Sequence, residues 1–114
     1  MGVELSVLIV HYFAEELLPP LFGSMQDFLS RRPDEILIWD NGSRNGKPLD
    51  LAVPCALTWL PSSANVGFAN GHNALAQRAK GRRFLIINPD AQFTPGALEK
   101  LRSEERRVGK ECRL

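Results

Sequence analysis

Three short stretches of this chain are apolar at every position: Val7-Leu8-Ile9-Val10, Ile36-Leu37-Ile38-Trp39 and Phe84-Leu85-Ile86-Ile87. A strand with one wet face alternates apolar and polar residues, whereas a strand covered on both faces need not. Double coverage is the habit of parallel sheets with helices above and below. The expected fold class is therefore α/β on a mainly parallel sheet. The three runs place strands over Glu4 to His11, Glu35 to Asp40 and Arg83 to Asn88. A shorter strand is expected at Ala56 to Leu60, closed by Pro61-Ser62-Ser63.

Between the first two strands, Leu17, Leu18, Leu21, Phe22, Met25, Phe28 and Leu29 recur at helical spacing. This helix is expected within Ala14 to Leu29, with a start or a kink at Pro19-Pro20. Arg31-Arg32-Pro33-Asp34 and Asn41-Gly42-Ser43-Arg44-Asn45-Gly46 read as turns, and Lys47 to Pro54 as irregular or briefly helical. A second helix is expected from about Phe68 through Ala79, stopping at Gly81. A third opens with Thr94 as N-cap and Pro95 at its first position. Strands alternating with helices through right-handed crossovers give a doubly wound order.

At 114 residues, 44% of them hydrophobic, the chain is one domain at most. Its apolar runs are too short to span a bilayer or to form the core of a signal peptide. The stretch Arg102 to Cys112 back-translates in one frame to a string that resembles a common short-read sequencing adapter. Residues 102–114 are accordingly set apart as a non-native tail, and 1–101 as a partial domain, the front half of a longer one. Without the tail the formal charge falls from +1 to −1, so the charge offers no footprint for nucleic acid, and no nucleic-acid partner is expected. Cys55 is then unpaired, which fits a reducing compartment; it reads as a small buried hydrophobe.

Ligands of open parallel sheets sit outside the carboxyl ends of the strands. Asp40 and Asp90 stand at two such ends. Asp40 is placed either to accept hydrogen bonds from a base N–H or ribose hydroxyl, or to organise the Asn41-Gly42 turn. Asp90, after Asn88-Pro89, is the best candidate for a divalent metal, which takes one or two carboxylates and completes its shell with phosphate oxygens. The loop Asn65 to Asn73 carries Gly67 and Gly71, which permit close backbone approach. Its spacing fits neither the dinucleotide fingerprint nor the P-loop. Asn65, Asn70 and Asn73 are neutral donors for hydroxyls or phosphate oxygens, with Asn70 read as a helix cap. His11 closes the first strand and lines the pocket; His72 is expected to face solvent. Trp39 and Trp59 are expected in the core. No His/Cys cluster supports zinc. From the residues alone, the reading is a nucleotide- or phosphate-binding α/β domain.

Four pieces together resemble the N-terminal half of a family 2 glycosyltransferase with the GT-A fold, in its rhamnosyltransferase-like branch. They are Val7 to Tyr12, Trp39 to Ser43, Asn65 to Asn73, and Ile87 to Ala91 with Pro95 to Leu98. The resemblance implies a nucleotide-diphosphate sugar donor, dTDP- or UDP-linked, and a polysaccharide or lipid-linked acceptor in cell-envelope synthesis. It implies that His11 and Tyr12 lie against the base and that Asp40 hydrogen-bonds it. Asn65, Gly67 and Asn73 would frame the nucleotide-sugar. The turn Asn88-Pro89-Asp90 would replace the Asp-x-Asp motif, with Asp90 ligating Mg²⁺ or Mn²⁺. The chain departs from the family at His11-Tyr12-Phe13, where Thr-Tyr-Asn is usual, and at Asn88 in place of the first Asp. The catalytic base is expected beyond residue 101, so this chain alone is expected to bind nucleotide weakly without turnover. Its expected location is cytoplasmic, peripheral at the inner face of the membrane.

Two other classes remain in view. One is a non-catalytic nucleotide-binding α/β module. The other is a nucleotidyltransferase, which wants a basic, glycine-rich loop after the first strand; Tyr12-Phe13-Ala14-Glu15-Glu16 is acidic instead.

Overall fold

The computed structural model describes residues 4–31, 34–44 and 50–100. Parts of the expected turns at 31–34 and 41–46, the first residues of 47–54 and the expected tail 102–114 lie outside the described residues. The elements are β1 (Leu5–His11), a 3-10 turn (Glu15–Leu17), α1 (Leu18–Leu29), β2 (Glu35–Asp40), β3 (Ala56–Pro61), α2 (Phe68–Arg78) and β4 (Arg83–Ile87). All four strands are parallel, in the order β3-β2-β1-β4. Chain growth runs from β1 to β3 on one side and then reverses to place β4 on the other. The reversal falls between β1 and β4.

Alternation along the strands sorts the apolar runs into two cores. Leu5, Val7, Ile9, Ile36, Ile38 and Ile87 face α1, meeting Leu18, Leu21, Phe22, Met25, Phe28 and Leu29. Leu8, Val10 and Leu37 face the other way against Leu75 of α2, with Trp39, Phe84 and Ile86 at the margin. Val7, Ile9, Ile36 and Ile38 are fully buried, and each contributes about 1.5–3 kcal/mol by leaving water. The unbroken apolar spelling of β1 and β2 follows from this double coverage. Cys55, half-buried before β3, has its thiol pushed up to about 11, first by burial and then by Asp34 and Glu35.

Local chemistry sets the helix ends. Pro19 and Pro20 fall in the first turn of α1, where no backbone donor is needed, so they start the helix without kinking it. The helix expected from Pro95 begins at Ala97 instead. Ala97 N–H donates to the Thr94 carbonyl at 3.1 Å across Pro95-Gly96, and Gly96 has φ +82°. Proline followed by a left-handed glycine is the signature of a type II turn, which displaces the helix start by two residues.

Gly81 serves a purpose other than the expected helix cap, since α2 ends at Arg78 with an extended cap at Ala79. It closes a polar latch at the amino edge of the sheet. Ser6 Oγ donates to Glu35 Oε2 at 2.6 Å, Lys80 N–H donates to the same oxygen at 2.6 Å, and Gly81 N–H donates to Ser6 Oγ at 2.8 Å. Ser6 and Glu35 are buried. A Cβ on Gly81 would lie 2.5 Å from Ser6 Oγ and 2.6 Å from the Ser6 backbone nitrogen. Only glycine fits.

Candidate functional site

At the carboxyl edge, β1 and β2 end side by side, with His11 registered against Asp40. Both side chains lie on the α1 face and are almost completely buried, 0% and 5% exposed. Asp40 Oδ1 accepts the Gly42 N–H at 2.9 Å; Oδ2 accepts Ser43 Oγ–H at 3.0 Å and Trp59 Nε1–H at 3.1 Å. His11 Nδ1 accepts the Ala14 N–H at 3.2 Å. The ring proton therefore sits on Nε2, 3.1 Å from Asp40 Oδ1 and off the line of a well-aligned hydrogen bond.

Two expectations change here. His11 does not line the mouth; it is packed beneath it, with its ring 5.3 Å from that of Trp59. Asp40 does not present a free carboxylate, because both oxygens are engaged in holding the turn. Contact with a base would require it to release one of them. Trp59, expected as core, is a partner of the site through its indole N–H.

Above this buried layer the chain turns sharply. Phe13 has φ +50°, a conformation side chains other than glycine rarely adopt, and its N–H donates to the Gly42 carbonyl at 2.7 Å. The Tyr12 and Phe13 rings meet edge to face at 4.6 Å and close over Gly42, where a Cβ would lie 3.0 Å from the Tyr12 ring. Tyr12 remains 55% exposed. Arg44 ties the two loops together: its N–H donates to Glu15 Oε2, and its guanidinium reaches Glu16 at 2.6 Å, holding the Glu16 carboxyl below its usual range.

The loop before α2 is fixed by Asn41, which sequence reasoning treated only as a turn former. Its Oδ1 accepts Trp39 Nε1–H at 2.9 Å and Val66 N–H at 3.1 Å, while Nδ2 donates to the Gly67 carbonyl at 3.3 Å. Asn65 Oδ1 accepts the Gly67 N–H at 2.9 Å. Gly67 itself has φ +91° and caps α2, so Asn70 is not the cap; its Nδ2 donates to the Val66 carbonyl. Gly71 lets the helix sit against Trp39 and Val10, where a Cβ would approach within 2.9 Å. Asn65, Gly67 and Asn73 are exposed.

His72 is buried, contrary to the expectation of a solvent-facing side chain. It shares the buried stripe Gly71, His72 and Leu75, which is the spacing of one helix face turned to the sheet. Neither ring nitrogen has a hydrogen-bond partner, the Phe68 ring stands edge-on at 4.5 Å, and burial lowers its pKa. That spacing relative to Leu75 was the available signal.

Beyond β4, the Ala91 N–H donates to the Asn88 carbonyl at 3.1 Å, closing the Asn88-Pro89-Asp90-Ala91 turn. Asn88 and Asp90 are exposed. Among the described residues no three His, Cys, Asp or Glu groups gather as a metal cage. A donor set of one exposed carboxylate and one neighbouring amide suits Mg²⁺ or Mn²⁺ whose shell is completed by phosphate and water. A cavity of about 250 Å³ lies elsewhere, between α1 and the 93–99 segment, and contains none of the expected site residues.

Comparison with known proteins gives the following matches. The family described as glycosyl transferase family 2 matches residues 6–106. No curated protein matches the chain. Among solved structures, a crystal structure of residues 1–349 of TarS from S. aureus superposes with TM-score 0.70 at 18% identity, covering 92% of this chain and 33% of that one. A second TarS crystal structure gives TM-score 0.70 at 19% identity, covering 94% and 20%. The chain thus spans about a third and a fifth of those two chains. The shared fold is the GT-A α/β fold expected from the sequence. No helix among the described residues is long and apolar enough to cross a membrane.

Proposed function

We propose, since the chain belongs to glycosyl transferase family 2, that it forms the donor-binding part of an enzyme that moves a sugar from a nucleotide-diphosphate carrier to an acceptor. The observation that carries this reading is the reversal of strand order between β1 and β4, flanked by the exposed Tyr12 ring and the exposed Asp90 carboxylate. Crevices at such reversals are where open α/β sheets take ligands. A nucleobase fits the flat Tyr12 face. The diphosphate then extends toward Asn88 and Asp90, with Asn65, Gly67 and Asn73 along the opposite rim.

Asp90 and Asn88 are the groups that would hold Mg²⁺ or Mn²⁺, which when bound neutralises charge on the departing nucleoside diphosphate. Tyr12 orients the base. Asp40 acts one layer below, keeping Gly42 and Ser43 in the geometry that carries the Tyr12 ring. Within this proposal the carrier is dTDP or UDP, the sugar is rhamnose, and the acceptor is a polysaccharide or lipid-linked glycan at the cytoplasmic face of the membrane. The catalytic base and acceptor site belong to sequence beyond residue 101, and residues 102–114 are a non-native tail, although the family match runs to residue 106.

The test is calorimetric titration of the 114-residue chain with UDP and dTDP, with and without Mn²⁺. Binding that strengthens with metal, and loses that gain in Asp90→Asn, supports the reading. Absence of binding at millimolar nucleotide, or a metal effect indifferent to Asp90→Asn, refutes it. Sugar transfer by this chain alone would refute the placement of the base.

A further inference from the structure

The corner after β1 has an unusual construction. Phe13 adopts a left-handed φ of +50° without being glycine, so surrounding contacts must impose the conformation. Two backbone donors are held within it. Phe13 N–H reaches the Gly42 carbonyl at 2.7 Å, and Ala14 N–H reaches His11 Nδ1 at 3.2 Å. The second is a side-chain contact, made by a fully buried ring wedged between Asp40 and Trp59. Tyr12 and Phe13, the residues spanned by that contact, are those whose rings close over Gly42.

We infer that His11 is a positioning residue for the nucleotide site: its unprotonated Nδ1 holds the Ala14 N–H and thereby sets the Tyr12-Phe13 corner that presents the base-binding face. The inference rests on the reading that Tyr12 receives a nucleobase. His11 itself touches no ligand. Its ring is oriented from behind, by Asp40 beside Nε2 and by the Trp59 indole, whose own N–H is fixed on Asp40. Buried His11 and Asp40 and half-buried Trp59 form one contact cluster beneath an exposed aromatic, and the tautomer of one imidazole determines where that aromatic stands.

Two isosteric substitutions separate the two ring nitrogens. An asparagine at this position offers an acceptor near Nδ1, and a glutamine offers an amide near Nε2. His11→Asn is expected to keep the Ala14 amide protected from exchange and to keep UDP affinity within about threefold. His11→Gln is expected to expose that amide and to weaken UDP by roughly tenfold, the scale of one lost hydrogen bond. The Gly42 Hα resonance, ring-shifted by Tyr12 and Phe13, reads the corner without any ligand. It should stay in His11→Asn and move in His11→Gln. Equal behaviour of the two variants in both ligand-free signals overturns the inference. Should neither variant fold, long-range ¹H–¹⁵N correlation on the unsubstituted chain decides it: a bare Nδ1 supports the assignment and a protonated Nδ1 overturns it. A chain that binds no UDP but shows these signals refutes the nucleotide reading and leaves the positioning role of His11 supported.

Discussion

Replacing Asn41 with alanine should unfasten the loop that leads into α2. The side chain makes three hydrogen bonds, to Trp39 Nε1, Val66 N and the Gly67 carbonyl. Truncation leaves two donors without partners, while the Gly67 carbonyl keeps the Gly71 N–H at 3.2 Å. A typical net contribution is about 1 kcal/mol per bond, and a fully buried orphan donor costs about 1–3 kcal/mol. All three bonds are only partly buried, so water can reach the stranded groups, and the 3.3 Å contact to Gly67 is the weakest. The lower end of the range applies, giving roughly 2–3 kcal/mol in total. For a domain of this size that is a fall in Tm of about 10–20 °C. Asn41→Asp separates the components, because a carboxylate still accepts from Trp39 and Val66 but faces the Gly67 carbonyl without a donor. It should cost about 1 kcal/mol. Urea unfolding followed by tryptophan fluorescence measures both. The reasoning fails if Asn41→Ala lies within about 0.5 kcal/mol of the parent chain, or if Asn41→Asp is as damaging as Asn41→Ala.

Gly81→Ala should destabilise by about 3 kcal/mol or more, because its Cβ meets the backbone of Ser6 and Leu5 as well as the Ser6 hydroxyl, and the backbone atoms cannot swing aside; denaturant midpoints measure this, and a neutral result would show that the latch is loose. Gly23→Ala should do the opposite, gaining about 0.5–1 kcal/mol, since Gly23 lies inside α1 with no atom within 4 Å of an added Cβ. Burial lowers the His72 pKa from 6.5, so below that pH the unfolded chain takes up a proton that the folded chain resists. Stability should therefore fall as pH drops through 6.5, and His72→Leu should flatten that part of the pH profile in thermal melts.

The backbone plan was largely legible because it rests on local and periodic signals. Continuous apolar runs mark β1, β2 and β4 as strands; all seven residues of β1 are buried, whereas in β4, at the sheet edge, Ile87 alone is. What escaped was contact at long sequence range. Asn41 spells a turn by its neighbours, yet its partners include Gly67, 26 residues away. Trp59 resembles core in any local window, and only the β2–β3 register brings its indole N–H to Asp40. His11 and Asp40 were correctly placed at strand ends, but strand position does not specify whether a side chain faces the mouth or the layer beneath. Pro95 spells a helix opener in its local window, because the left-handed φ of Gly96, which makes the pair a turn, depends on the segment's path.

The Ser6, Glu35 and Gly81 latch bears on how the sheet finds its alignment. Neighbouring strands that are apolar on both faces could slide by a residue and still bury oil against oil, since Phe84-Leu85-Ile86-Ile87 reads much the same when shifted along β1. Such sequences specify their pairing weakly through hydrophobicity. A hydroxyl that must meet one amide 75 residues later works like the notch of a vernier: it engages at one setting and leaves a buried carboxylate poorly served at every other. Apolar packing holds these strands together, while a few polar atoms at the far edge select which alignment counts as assembled.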